Sequence, residues 1–247
     1  MKKNDQKLTG QALQILGVRV NSTSTSSVVC LISSKISHNE NFFIVTPNPE
    51  FIVICQKDDE FRKILNQVDL AIPDGVGLVL ASRFLGTKPR LKGRVAGIDL
   101  VDRLLETGVK ENWRFGIVGA RRGEIKEVRE LINRLKQRYL GLKIEVFELV
   151  KNWPGREYQI IFACQGMGKQ ERWIWENQKK VKGVCFLGIG GSLDRLAGIT
   201  PRAPELIRKF GLEWFWRLIL NPSHFKRVWT ACVIFPWLVL KEKIKKS

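Results

Sequence analysis

Short apolar runs along the chain alternate with longer stretches in which apolar positions recur every three or four residues. The runs Leu13–Val20, Phe42–Val45, Val68–Ile72, Trp113–Val118, Leu142–Phe147, Tyr158–Ala163 and Gly183–Gly188 predict strands. The periodic stretches Ser24–Ser34, Phe51–Gln67, Leu78–Phe84, Gly97–Glu106 and Gly123–Tyr139 predict helices, with Phe51–Gln67 as one or two. In Gly97–Glu106, for instance, Ile98, Val101, Leu104 and Leu105 fall on one face. Strand and helix in alternation predict an α/β fold, a mostly parallel sheet with helices on both faces.

Two strand exits are polar and stiff. Val68–Ile72 runs into Pro73-Asp74-Gly75-Val76-Gly77, which puts Asp74 at the carboxyl end of a strand and leaves Gly75 and Gly77 as room for a ligand beside the backbone. Open α/β sheets set their ligands at that end. An Asp-Gly pair at a strand exit is equally an ordinary turn or helix cap. The neighbouring exit is Thr46-Pro47-Asn48-Pro49-Glu50, where two prolines stiffen a loop that displays a hydroxyl, an amide and a carboxylate. Two such loops in one half of the chain point to a shared site.

Glycines at Gly119 and at Gly188–Gly191, Gly190 and Gly191 among them, offer backbone N–H groups that favour anions, or else mark close strand–helix packing. Neither stretch matches a dinucleotide fingerprint or a Walker loop. Lys169-Gln170-Glu171 opens a helix: Glu171 there offsets the helix dipole, while Gln170 is a hydrogen-bonding group for a ligand.

Charge adds a second theme. Of a net +18 over 247 residues, +7 falls in the last 46, together with Trp214, Trp216, Trp229 and Trp237 out of eight tryptophans. Cations interleaved with indoles suit an anionic membrane surface. The longest apolar run, Val228–Leu240, is interrupted by Thr230 and Pro236 and is shorter than the ~20 residues of a spanning helix. The polar start Met1–Gly10 has no signal-peptide core, so the chain is expected to stay where it is made. Five scattered cysteines read as free thiols in a reducing compartment, and two isolated histidines offer no zinc site. Asp58-Asp59-Glu60 reads as a helix start rather than a metal-binding pair.

Taken in order, Thr46–Glu50, Pro73–Gly77, Arg94-Val95-Ala96-Gly97-Ile98-Asp99, Lys169–Ile174, Gly190–Asp194 through Arg202-Ala203-Pro204, and Gly211-Leu212-Glu213-Trp214 make the chain resemble the bacterial WecG/TagA/CpsF glycosyltransferases. The resemblance runs from about Leu16 to Leu240. It implies transfer of an N-acetylmannosamine-type sugar from a UDP donor to a polyprenyl-diphosphate-linked sugar, with inversion, in making a cell-surface polymer. The expected fold is a Rossmann-like sheet at residues 1–201 and a basic, Trp-rich, membrane-associating helical appendage at 202–247. Asp74 becomes the general base, needing burial beside the sugar to raise its pKa. Thr46 and Asn48 orient the sugar, Arg94 meets the departing diphosphate, and Gln170, Glu171, Gly119, Gly190, Gly191 and Arg202 contact the donor.

Arg208, Arg217, Arg227, Trp229 and Trp237 face the acceptor or the lipid, with Leu206–Leu220 over the active site and Phe225–Leu240 in the interface. A cytoplasmic enzyme on the inner membrane face follows, with no cofactor, no required metal and some capacity to self-associate. Two features depart from the family pattern: a basic link from Gly86 to Gly93, which makes Arg90 and Lys92 rivals of Arg94, and Gly168 where a proline is usual. Rival readings are a nucleic-acid binder, which the pI near 10 favours and the apolar tail opposes, and a non-catalytic membrane scaffold.

Overall fold

The computed structural model describes residues 8–120, 124–147, 158–180, 184–209 and 213–246. Six parallel strands form its centre, in the order β4-β3-β8-β7-β5-β6: β3 Phe42–Val45, β4 Leu70–Ala71, β5 Arg114–Val118, β6 Lys143–Phe147, β7 Ile160–Ala163 and β8 Cys185–Gly188. Strands buried on both faces must be apolar at every position, and β3, β7 and β8 are buried throughout. The pleat sends alternate residues to opposite layers. Ile44, Phe115, Ile117 and Phe162 join one core, while Phe43, Val45, Ile161 and Phe186 join the other.

On the first face lie α1 Thr25–Ser37, α5 Gly97–Lys110 and α6 Ile125–Arg138, burying Leu31 and Ile32, Leu104 and Leu105, and Leu131 and Leu135. On the second lie α2 Pro49–Cys55, α3 Asp59–Gln67, α4 Val76–Leu85 and α7 Lys169–Asn177. The α/β fold with helices on both faces is thus present, and its sheet is parallel throughout.

Local chemistry sets the boundaries. Ser24 Oγ accepts the N–H of Ser27 and starts α1. Asp58 accepts from Phe61 and starts α3, and its carboxyl is held below the usual carboxylate range by that bond and by Arg172. The Asp58–Glu60 acids are therefore a helix start, as their position predicts.

One element differs from expectation. The run Leu13–Val20 is a hairpin, β1 Ala12–Ile15 against β2 Val18–Asn21, and not a single strand. Leu16 and Gly17 both take positive φ, at 50° and 78°, the geometry of a two-residue turn, so the apolar positions on either side of it close one layer. Gly123 and Gly183, expected at the starts of a helix and a strand, lie outside the described residues.

After β8 come α8 Ser192–Leu196, α9 Glu205–Lys209 and α10 Glu213–Leu220, then α11 Phe225–Trp229, a π-turn at Thr230–Ile234, and α12 Phe235–Lys246. Phe235 and Val239 are 2% and 5% exposed and belong to the second core, packed with α2 and α4. The last helix is therefore anchored by one face. Among the described residues no helix is long and apolar enough to cross a membrane.

Candidate active site

The exits of β3 and β4, paired neighbours in the sheet, come together by backbone bonds. Ile72 N–H donates to Val45 O, Asp74 N–H to Pro47 O, and Val95 N–H to Pro73 O, each at 2.8 Å. Three loops are thereby fixed around one carboxylate. Gly97, the first residue of α5, closes the floor: a Cβ there would lie 3.6 Å from Asp74 Oδ2 and 3.7 Å from Thr46 Oγ1. Thr46 and the half-buried Asp74 thus flank the same point. Asn48 caps α2, its Oδ1 accepting from Glu50 and Phe51, which leaves its Nδ2 group as the donor it offers outward.

The glycines beside Asp74 are set by backbone conformation and by packing. Gly75 has φ 112°, a conformation costly for any other residue. A Cβ on Gly77 would meet the Pro49 ring at 2.8 Å and Phe235 at 3.8 Å. Packing against Pro49 therefore also requires Gly77, while Gly75 and Gly77 both line the cavity at Asp74, where room beside the backbone is expected.

Asp74, Asn48 and Arg94 line a cavity of about 330 Å³, a size common for small-molecule sites. Its roof is the tail: Glu213, Trp214, His224, Val228, Ala231, Cys232 and Pro236 also line it. Arg94 Nη1 lies 3.4 Å from Glu213 Oε2, both side chains being more than three-quarters buried. Arg227 reaches Glu50 with two nitrogens at 2.9–3.1 Å, a forked pairing that ties the tail to the first turn of α2. The cavity thus carries two guanidinium groups near a carboxylate that sits on a strand exit. That arrangement suits an anionic leaving group on one side and proton removal on the other.

The other predicted residues take different stations. Arg90 and Lys92 line a larger cavity of about 880 Å³ beside the hairpin, at the amino-terminal end of β4, so of the three rivals only Arg94 lies with Asp74. Gln170 and Glu171 are 4% and 1% exposed and turn inward. Gly168 N–H donates to Glu171 Oε2, Gln170 Nε2 donates to Glu171 Oε1, and Gly190 N–H donates to Gln170 Oε1. This chain staples the exits of β7 and β8, and Gly188 must lack a side chain because a Cβ would lie 2.7 Å from Gln170 Nε2. The polar ends of both side chains are spent on the protein.

Burial pushes the Glu171 carboxyl up to about 7, against the pull of the bonds from Gln170 and Gly168. Gly119, with φ 69°, passes Gln165 so closely that a Cβ would strike it at 2.5 Å, and Gly191 is exposed. Arg202 pairs with Asp99 at a small separate cavity next to Trp216.

Trp229 and Trp237 are half or more exposed, whereas the side chains of Arg208 and Arg217 lie outside the described residues. Within the tail, α10 leaves Phe215 and Ile219 about half exposed, and Phe235 and Val239, expected in the interface with the rest of Phe225–Leu240, are instead buried in the core. All five cysteines are free, Cys55 with its thiol pushed up to about 12 by burial. Among the described residues no three His, Cys, Asp or Glu side chains converge as a metal site. Sequence reading missed Glu50 and Glu213 as partners of Arg227 and Arg94. Both stand inside quoted motifs, but their partners lie 177 and 119 positions away.

A parallel α/β sheet with a carboxylate and guanidinium groups beside the carboxyl ends of its strands is a scaffold suited to group transfer. The profile of the glycosyl transferase WecG/TagA/CpsF family matches residues 13–247, and the chain belongs to that family. Its relatives include the N-acetylglucosaminyldiphosphoundecaprenol N-acetyl-beta-D-mannosaminyltransferase of Bacillus subtilis (strain 168), 30% identical over 237 residues that cover 92% of this chain and 91% of that one. The proteins of the same name from Bacillus spizizenii and Staphylococcus aureus (strain NCTC 8325 / PS 47) are 31% and 30% identical. They cover 85% and 95% of this chain, and 83% and 95% of their own lengths.

Proposed function

We propose that this enzyme transfers N-acetylmannosamine from a UDP donor to a polyprenyl-diphosphate-linked N-acetylglucosamine, with inversion, in the synthesis of a cell-surface polymer such as wall teichoic acid or another polysaccharide. The observation that carries the reading is Asp74, held at the exit of β4 in one cavity with Arg94 and Arg227. The names of the relatives support the acceptor and the sugar. A beta product from an alpha-linked UDP sugar requires attack from the face opposite the departing diphosphate.

The acceptor hydroxyl oxygen forms the new bond to the anomeric carbon. Its proton passes to Asp74, and the bond from that carbon to the UDP oxygen breaks with its electron pair leaving on the diphosphate. Thr46 and the Nδ2 group of Asn48 hold the sugar's polar groups beside Asp74. Arg94 takes the charge that gathers on the departing diphosphate, and Arg227, together with Arg208 and Arg217, meets the acceptor's diphosphate. In this reading cationic side chains rather than a metal neutralise the leaving group. The residues from 202 onward form the membrane-facing appendage, placing the enzyme on the inner face of the cytoplasmic membrane.

Incubation with UDP-N-acetylmannosamine and a lipid-diphosphate-linked N-acetylglucosamine tests this directly. UDP release with a disaccharide lipid of beta configuration, seen by mass spectrometry and NMR, is the expected outcome. No product from any UDP-hexosamine, with salt-sensitive binding to DNA or RNA instead, would favour the nucleic-acid reading. In the same assay EDTA is expected to leave turnover within about twofold.

A further inference from the structure

The cavity at Asp74 has a chemically mixed lining. Beside the charged groups it is lined by Val76 and Leu80 of α4 and by Val228, Ala231, Cys232 and Pro236 of the tail. Val76, Leu80 and Phe84 are 36%, 55% and 50% exposed and are spaced four residues apart, so they form one outward stripe. The opposite face of α4 is buried through Leu78, Val79, Ala81 and Ser82. At 1.5 Å per residue the stripe runs about 12 Å along the helix from Val76, its last residue Phe84 lying about 6 Å beyond Leu80. A row of exposed apolar side chains running out of a polar cavity is a feature that a folded chain keeps for binding.

We propose that the Val76–Leu80–Phe84 stripe is the track on which the isoprenoid chain of the acceptor leaves the active site. The inference rests on the acceptor assigned above. A ligand that joins a diphosphate directly to a hydrocarbon needs cations and an apolar wall within one cavity, and Arg94, Arg227, Val76 and Leu80 supply both. The track is continuous with that cavity, since Val76 and Leu80 belong to both. Its charge also fits: α4 carries no acidic residue, and its one ionisable side chain is the exposed Arg83. The adjoining α12 continues the character with exposed Trp237, Leu240 and Ile244 among lysines. Lipid acyl chains or a second copy of the protein are the competing occupants.

The test uses the full-length chain and the double variant L80S/F84S, with acceptors that differ only in carrying a long polyprenyl chain or a single isoprene unit. The expected result is a KM for the long-chain acceptor raised about tenfold more than that for the short one, with similar kcat for both. Equal changes for the two acceptors, or none, overturn the track. So does a shift from dimer to monomer in the variant, which assigns the stripe to a second copy, or lost vesicle binding with no chain-length discrimination. If wild type transfers to neither acceptor, the reading of the function fails instead. The track is then judged by photolabelling with a polyprenyl diphosphate that bears a diazirine on the isoprene nearest the phosphate. Label in the α4 peptide supports it, and label confined to other peptides overturns it.

Discussion

At the scale of single residues, one polar side chain at a helix start reads the same in sequence whether it turns in or out. Glu171 turns in and is buried, with its carboxyl pushed up to about 7 from an ordinary 4.5. The folded state therefore holds this proton more tightly than the unfolded chain does, and the contribution to stability is lost as pH rises through about 4.5 to about 7. E171Q, uncharged throughout, is expected to flatten that part of the decline in thermal unfolding temperature. A wild-type slope retained in E171Q would show that the proton is held elsewhere. Asp74 and Thr46 were legible because strand exits are where such a sheet puts its chemistry. The inward turn of Gln170 was not, since it depends on Gly188 leaving room beside it.

Among the elements, the strands and most helices follow from periodicity, while what joins them does not. The hairpin at Leu16-Gly17 was hidden because its two strands point their apolar residues into one layer, so that they read as one run. The anchoring of α12 was hidden as well. Its Phe235 sits over Gly77, a contact between residues far apart in sequence. F235A is expected to cost about 3–5 kcal/mol, seen as a lower unfolding temperature and as faster proteolysis between α10 and α12. G77A, which drives a methyl against the Pro49 ring, is expected to cost about 1–3 kcal/mol. Unchanged stability in both variants would mean that α12 is not held to α4 by this contact.

For the whole molecule, the +7 charge of the final 46 residues and the exposed apolar side chains of α10 to α12 fall on the part of the chain that roofs the cavity. Under the proposed function, one surface would serve both membrane attachment and acceptor capture. Cutting the tail away would also strip Phe235 and Val239 from the core, so charge removal is the cleaner perturbation. K241Q/K243Q/K245Q/K246Q is expected to weaken binding to anionic vesicles by about fivefold per lysine, from ~1 kcal/mol each, and to leave the unfolding temperature nearly unchanged. Equal binding by variant and wild type, at low and high salt alike, would remove the electrostatic half of the attachment.

The central claim is that Asp74 takes the acceptor proton during sugar transfer. Rapid-mixing turnover of wild type and D74N, with UDP-N-acetylmannosamine and the lipid-linked N-acetylglucosamine both saturating, measures that step. The account predicts a rate lower by about 10²–10⁴ in D74N, with KM for the UDP sugar little altered. A D74N enzyme that turns over within a few-fold of wild type would contradict it.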